Sequence, residues 1–472
     1  MNLNQTLQEK YPHLEVSVLK LSEVQKDNES KRIDSEFFKK EYFDAMGTMQ
    51  LNQVEYLGDN MKFNSRYSQP KYDETSKIKV INSQYIRNEY IDYENAKSGY
   101  GKIVPKESVL INATGVGTLG RVFINILDFD FSIDSHINVI VVKNKTYLNP
   151  YFLAIFLQSY YGQIQIIRYY SGTSGQIEIY PRDFNYFKIP IFPMEFQLEI
   201  QNLVKDSHKA LEESKELYKK AEETLYLELG LDPKNPLQSL LDSKTNNPTN
   251  SPNISIHTLK ESFLKTGRLD SEYYQSKYED IEKFIKSYPN GYDSFSSIIN
   301  NKDTNFTPKN NENYSYIELA NIGNNGNISE PISDLGKNLP TRARRIVSKG
   351  DVIISSIEGS LSSCALITQE FDKHLVSTGF FVLNSKLLNG ETLLVMFKSQ
   401  IFQEYLKKFP SGTILCATNK EELSKILIPK IDSTTQEKIA KYIQESFNLR
   451  KKSKQLLDNA KIKVEEQIQG KI

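Results

Sequence analysis

Arg32-Ile33-Asp34-Ser35-Glu36-Phe37-Phe38, followed by Tyr42, returns as Arg268-Leu269-Asp270-Ser271-Glu272-Tyr273-Tyr274, followed by Tyr278. The second copy begins half of the 472-residue length after the first. Three further blocks keep nearly the same offset. Val104-Pro105-Lys106 and Val109-Leu110-Ile111 match Val347-Ser348-Lys349 and Val352-Ile353-Ile354; Ser171-Gly172-Thr173 matches Ser411-Gly412-Thr413. Ile189-Pro190 with Gln197, Ile200 and Val204 matches Ile428-Pro429 with Gln436, Ile439 and Ile443. Such a duplication predicts two similar halves in a pseudo-twofold arrangement. The small drift in offset is what insertions in surface loops produce. Between the blocks the halves diverge, as where Thr114-Gly115-Val116-Gly117 faces Ile357-Glu358-Gly359-Ser360. One scaffold with two different faces is therefore expected.

The chain is too long for one core and suits two domains with connectors. Hydrophobic residues make up 39% and charged residues 25%, an ordinary globular balance. Lys+Arg and Asp+Glu both number 59, so the net charge is zero, which argues against a nucleic-acid binder acting alone but allows local basic patches. The cysteines Cys364 and Cys416 lack Cys-x-x-Cys spacing and a nearby histidine. Reduced thiols in a cytoplasmic protein, without disulfide or metal site, are the expectation. No apolar run approaches a membrane span, and Met1-Asn2-Leu3-Asn4-Gln5 does not start a signal peptide.

Residues 197–229 lack proline, and Gly230 with Pro233 supplies a helix stop. Apolar residues recur every seven there: Leu203, Ala210, Leu217, and Val204, Leu211, Tyr218, Leu225. Residues 436–468 repeat the pattern, with Arg450 interrupting one row. Small residues form a third row, Ser207, Ser214 and Ala221 in the first stretch and Ser446, Ser453 and Ala460 in the second. Small residues at heptad spacing let two helix backbones approach, which predicts two long helices packed antiparallel. In the alternative, each helix lies on its own domain with this row facing solvent. Residues 233–253, rich in Asn, Pro, Ser and Thr, read as a linker.

The remaining halves read as mixed α+β. Short β-like runs at 109–112, 122–126 and 137–142 correspond to 352–355, 364–367 and 379–383, and helical stretches follow at 150–161 and 392–408. A glycine- and hydroxyl-rich loop follows a strand in each half, residues 112–121 with Thr114, Gly115, Gly117 and Arg121, and residues 355–363 with Ser356, Gly359 and Ser360. Such loops offer N–H groups and hydroxyls to phosphate oxygens; they also serve as tight hairpins needing positive φ. A second loop carries Ser171, Thr173, Ser174 and Gln176 in one half and Ser411, Thr413, Asn419 and Lys420 in the other. Gln and Asn read adenine in the major groove or cap loops. Basic clusters with aromatics, namely Lys62, Arg66, Tyr67 and Lys71, then Arg168 beside Tyr169-Tyr170, and Arg342, Arg344 and Arg345, suit phosphate contact or simply a solvated face.

No catalytic set stands out. Gly117-Thr118-Leu119-Gly120-Arg121 lacks the Walker spacing and its Lys-Ser/Thr pair. Asn149-Pro150-Tyr151-Phe152 lacks the second proline of an amino-methyltransferase signature and reads as a helix start, with Asn149 as N-cap; the matching Leu388-Asn389-Gly390-Glu391 loses the element. Glu213-Ser214-Lys215 lies on the long helix without the acidic strand a nuclease needs, and the five histidines are scattered.

The whole arrangement, with Arg-Ile/Leu-Asp-Ser-Glu-aromatic, Ser-Gly-Thr, Ile-Pro…Gln…Ile and the run from Ala221-Glu222-Glu223-Thr224-Leu225 to Glu228-Leu229-Gly230-Leu231, resembles the specificity subunit of type I restriction–modification systems. The resemblance implies an N-terminal segment and target-recognition domain over 1–192, a long helix over 193–232, a linker over 233–258, a second recognition domain over 259–431 and a closing helix over 432–472. It implies a non-catalytic antiphage-defence subunit that binds double-stranded DNA, each domain reading one half of a split target and an antiparallel coiled coil fixing the gap. Partners would be two modification subunits that methylate adenine with S-adenosylmethionine, and restriction subunits using ATP and Mg2+. The unlike loops imply unlike half-sites. One rival is the specificity subunit of a system whose partner fuses methylase and nuclease and cuts on both sides of its site. Another, of a different class, is a coiled-coil scaffold displaying two protein-binding domains.

Overall fold

The structure, a computed structural model, describes residues 3–173, 175–242, 256–323, 325–412 and 416–471. Its contacts divide the chain into two compact units: Met1–Glu212 with Arg450–Ile472, and Glu213–Leu449. Each unit therefore takes part of both long helices, Met194–Glu228 (35 residues) and Ser433–Ile468 (36 residues).

In the first unit, alternation of side chains along each strand decides the layers. Strands Met61–Arg66, Ile137–Val142, Val109–Asn112 and Val122–Ile124 lie in that order, all antiparallel. Val109, Ile111, Val122 and Ile140 pack on one face with helix Pro150–Gln158 and helix Lys40–Met49. Leu110, Phe123, Ile137 and Val139 pack on the other face with Ile81, Phe131 and Ile133. Those three come from a second sheet, ordered Lys71–Tyr72, Lys97–Tyr100, Lys79–Ile81, Phe131–Ile133, in which the last pair runs parallel.

The second unit is built the same way. Ile299–Asn301, Phe380–Ser385, Val352–Ser355 and Cys364–Leu366 form the antiparallel sheet. Ile332–Leu335, Asn313–Ile317, Leu375–Ser377 and Ala343–Ile346 form the other, with Asn313–Ile317 parallel to Leu375–Ser377. Helix Gly390–Lys398 answers Pro150–Gln158. Asn389 shares the capping role, its side chain accepting from the Thr392 N–H at 2.8 Å, as Asn149 accepts from Tyr151 at 2.9 Å. The proline is not required for an N-cap, only the side-chain oxygen. The repeated glutamine explains itself in the same place. Gln197 Oε1 accepts the Asn149 N–H at 2.8 Å and Gln436 Oε1 accepts the Asn389 N–H at 2.9 Å. Part of the expected linker is ordered as well, residues Pro236–Asp242 forming a short helix; 243–255 lie outside the described residues.

The two long helices pack antiparallel. In the first unit Ser207 Oγ meets Ser453 Oγ at 2.9 Å and also donates to the Ser453 carbonyl at 2.9 Å, while Glu199 pairs with Lys463 at 2.8 Å. In the second unit Ser214 Oγ meets Ser446 Oγ at 3.0 Å, and Thr435 donates to Glu228 at 2.8 Å. All six small residues of the heptad row are buried. A serine that shares its hydroxyl with a serine opposite satisfies both without adding bulk. Leucine in that seam overpacks it, so Ser453→Leu is expected to destabilise by about 1–3 kcal/mol. Urea denaturation checks this, and an unchanged midpoint would show that the seam has room to spare.

Candidate nucleic-acid interface

The structure brings together, in each unit, two loops that are far apart in sequence. In the first unit the loop over 112–121 joins strand Val109–Asn112 to Val122–Ile124, and the loop over 171–178 follows helix Tyr160–Tyr169. The Gly115 N–H donates to the Ile177 carbonyl at 3.0 Å, and the Ile179 N–H to Ala113 at 3.0 Å. Ser171 and Glu178 exchange two backbone bonds of 2.8 Å. In the second unit the Glu358 N–H donates to Cys416 at 3.0 Å and the Thr418 N–H to Ser356 at 2.8 Å. Ser411 and Ala417 exchange bonds of 3.0 and 3.1 Å. The same lacing thus holds two loops of different sequence side by side.

Backbone shape fixes the glycine of the second loop. Gly172 lies at φ 116°, and a Cβ there would meet the Gln176 carbonyl oxygen at 2.1 Å; Gly412 lies at φ 136°. Both sit where L side chains are strained. The first-loop glycines Gly115 and Gly117 also lie at positive φ, 90° and 79°, so the hairpin reading of residues 112–121 holds whatever else the loop does.

The individual side chains sort into three groups. Lys62, Lys71, Thr173, Gly117 and Gln176 in the first unit, and Arg342, Gly359, Ser411, Asn419 and Lys420 in the second, are exposed. Among these, Asn419 is engaged as a helix cap, accepting from the Glu422 N–H at 2.9 Å, and Lys420 pairs with Asp303. Arg342 stays 61% exposed, 3.8 Å from Glu318. A second group is half-buried and tied to the frame. Arg66 pairs with Glu178 and donates to the Ile179 carbonyl. Arg121 donates to the Gly117 carbonyl at 2.7 Å, Thr114 meets His136 Nδ1 at 3.1 Å, and Ser171 and Gly115 lie in the lacing itself. Ser356 Oγ donates to Gly379 at 2.9 Å, Ser360 meets Ser355 at 2.8 Å, and Arg344 donates to the Thr341 carbonyl at 2.8 Å. Arg345 donates to the Phe380 carbonyl, and burial lowers its pKa. Ser174 and Thr413 lie outside the described residues.

The third group corrects the sequence reading. Arg168 is only 4% exposed, its guanidinium 3.9 Å from the Tyr42 ring centre and 4.1 Å from that of Phe37. It is a core cation held by aromatic faces, not a surface contact. Tyr67 is likewise buried at 6%. The aromatic–basic pattern around both was real, but it describes contacts within the protein.

Two features escaped the sequence reading. Lys102 stands 4.7 Å from the ring centres of both Phe63 and Tyr67 and lines, with Arg66, Gln69 and Tyr100, a cavity of about 310 Å³. Tyr180, 40% exposed, has Arg66 at 5.7 Å and Arg182 at 5.4 Å from its ring centre. Tyr180-Pro181-Arg182 was the available signal. Arg66 joins these features to the loops, since its partner Glu178 closes the lacing. Among the described residues no group of three or more His, Cys, Asp or Glu is placed to hold a metal ion, and no helix is long and apolar enough to cross a membrane. Cys364 is buried, its thiol pushed up to about 12 by desolvation, and Cys416 is free.

Residues 46–223 match the family model of the type I restriction modification DNA specificity domain. The matched residues, 46–223, are thus similar to a type I restriction–modification DNA specificity domain. The internal repeat and the common sheet order carry the same architecture into the second unit, and the match agrees with the resemblance read from the sequence. Over 129 residues the chain is 29% identical to the type I restriction enzyme HindI specificity subunit of Haemophilus influenzae. That match spans 26% of this chain and 28% of the relative's length. Among solved structures, the S subunit of a type I restriction–modification system from M. genitalium aligns over 88% of this chain and 94% of its own, at 14% identity and a TM-score of 0.40. The HsdS subunit from Thermoanaerobacter tengcongensis aligns over 89% and 97%, at 13% identity and 0.28.

Two substitutions separate frame from face. Gly172→Ala should unlace the loop and speed amide exchange at Ser171 and Glu178, while the amide of Leu110 in the sheet stays protected; equal protection of all three would show that the loop absorbs the side chain. Arg168→Ala should lower stability by about 2–4 kcal/mol, through lost desolvated cation–π contact and packing, measured by chemical denaturation.

Proposed function

We propose that this chain is the DNA-recognition subunit of a restriction–modification complex, each unit reading one half of a split and asymmetric duplex target. The observation that supports this best is the pairing of two loops on the same sheet frame in both units, with unlike side chains at the exposed positions. Phosphate contacts position a protein and base-edge contacts specify sequence. Lys62, Lys71 and Arg342 suit the first task, and Gln176 suits the second. The loops differ where the frame does not, so the two half-sites differ. The packed helices hold the spacing between them. The chain performs no covalent step itself. Two modification subunits dock on it and methylate adenine with S-adenosylmethionine, and restriction subunits, where present, use ATP and Mg2+. A net charge of zero fits a subunit whose partners complete the DNA-binding surface.

Mapping methylated adenines in cells with and without this gene is expected to reveal a two-part motif with unequal halves that vanishes with the gene. A palindromic motif would overturn the asymmetry. A gel shift of the reconstituted complex that treats target and scrambled duplex alike would leave only a protein-binding scaffold.

A further inference from the structure

The motif that opens each repeat is built to the same plan in both units, though Arg268 Nη1 also lies 4.0 Å from Glu422. Arg32 forks onto Asp34, Nε and Nη2 donating to the two carboxylate oxygens at 2.7 Å each, and Nη1 donates to the carbonyls of Arg168 at 3.1 Å and Tyr170 at 2.7 Å. Arg268 forks onto Asp270 at 2.8 and 2.9 Å and donates to the carbonyls of Phe409 at 3.1 Å and Pro410 at 2.8 Å. Each aspartate also accepts a backbone N–H, from Phe37 at 3.2 Å and from Tyr273 at 3.1 Å. Each guanidinium stands over that same aromatic ring, at 5.0 Å from Phe37 and 4.5 Å from Tyr273.

The anchored carbonyls matter by their place. Those of Tyr170 and Pro410 immediately precede Ser171 and Ser411, where the second loops begin. No residue separates anchor from loop, so any movement at the anchor passes into the loop undamped. Global stability is a poor reason for the device. The aspartate side chains are 46% exposed in both units, and ion pairs that open to water contribute little. What a five-donor planar fork supplies is orientation, because it binds a carboxylate and carbonyls in one fixed plane.

We propose that Arg32 and Arg268 are positioning residues for sequence recognition, each setting the selectivity of its own half-site by fixing the start of the Ser-Gly loop. The proposal rests on the function proposed above. Lysine keeps the charge but cannot fork, so Arg32→Lys and Arg268→Lys isolate orientation from charge.

The test uses the full chain reconstituted with its methyltransferase partner. Methyl transfer from S-adenosylmethionine is measured on the genomic target and on duplexes carrying one base change in either half. Arg32→Lys is expected to relax discrimination at one half-site by about tenfold, the scale of one lost base contact, and to leave the other half-site as in the parent. Arg268→Lys is expected to do the converse. The melting temperature and kcat on the matched duplex stay near the parent's, the loss appearing as a narrower gap in KM between matched and mismatched duplex. Amide exchange at Ser171 should rise in Arg32→Lys. Unchanged discrimination at both halves, or an equal loss at both accompanying a fall in melting temperature, overturns the proposal while the parent still discriminates. A parent complex that discriminates at neither half overturns the proposed function itself.

Discussion

Neither half of this sequence closes its own core. The first unit buries Leu457, Ala460, Val464 and Ile468, which come from the far end of the chain. The second buries Tyr218, Ala221, Leu225 and Leu229, which belong to the helix that begins in the first half. Full burial of a Val, Leu or Ile side chain is worth about 1.5–3 kcal/mol. A few such residues amount to much of a domain's net stability. The helix pair is thus a structural member of both cores. The serine pairs make the exchange possible, because a helix that must lie against another and against a sheet at once has little room for side chains on its inner edge.

The repeated residues turn out to be the bolts of this frame. Gln197 and Gln436 tie the start of each long helix to an asparagine that caps a core helix. Arg32 and Arg268 tie the first strandless segment to the end of another helix. Each bolt satisfies backbone groups at or just beyond a helix end, which is why it tolerates so little change between two copies that differ almost everywhere else. The exposed tips of the loops carry no such duty. Among the described residues, Thr173 and Gln176 are exposed and show no side-chain hydrogen bond.

How far the sequence could be read follows from the range of the interactions. Apolar alternation is local, so strands Val109–Asn112, Ile137–Val142 and Val352–Ser355 fall where the pattern puts them. Heptads are local too, and both long helices were legible to within a few residues. Sheet order is not local. That the 112–121 loop lies against 171–178 depends on hydrogen bonds between segments whose own sequences say nothing of each other. Burial is not local either. Arg168-Tyr169-Tyr170 looks like a basic and aromatic surface, yet helix Lys40–Met49 supplies Tyr42, which covers it. Asn419 has the same ambiguity at smaller scale, an amide equally suited to a base edge and to a helix end, and the helix end takes it.

The second unit resolves the buried cation differently, and the difference is instructive. Lys408 stands near the rings of Tyr273 and Phe409, as Arg168 stands near Phe37 and Tyr169, but it pairs with Glu282. Among the described residues Arg168 has no carboxylate partner and lies against ring faces, with its Nε and Nη1 lacking hydrogen-bond partners. A delocalised guanidinium is weakly hydrated and suits aromatic faces; a compact ammonium is strongly hydrated and needs a counter-charge when water is removed. Both solutions place a cation at the end of the helix that launches the second loop, where the helix dipole favours positive charge. The end of that helix is therefore fixed twice, from inside by a cation and from outside by the arginine fork. Rigid anchorage on both sides of one peptide is what a loop needs if its backbone is to hold a few exposed side chains in a fixed position.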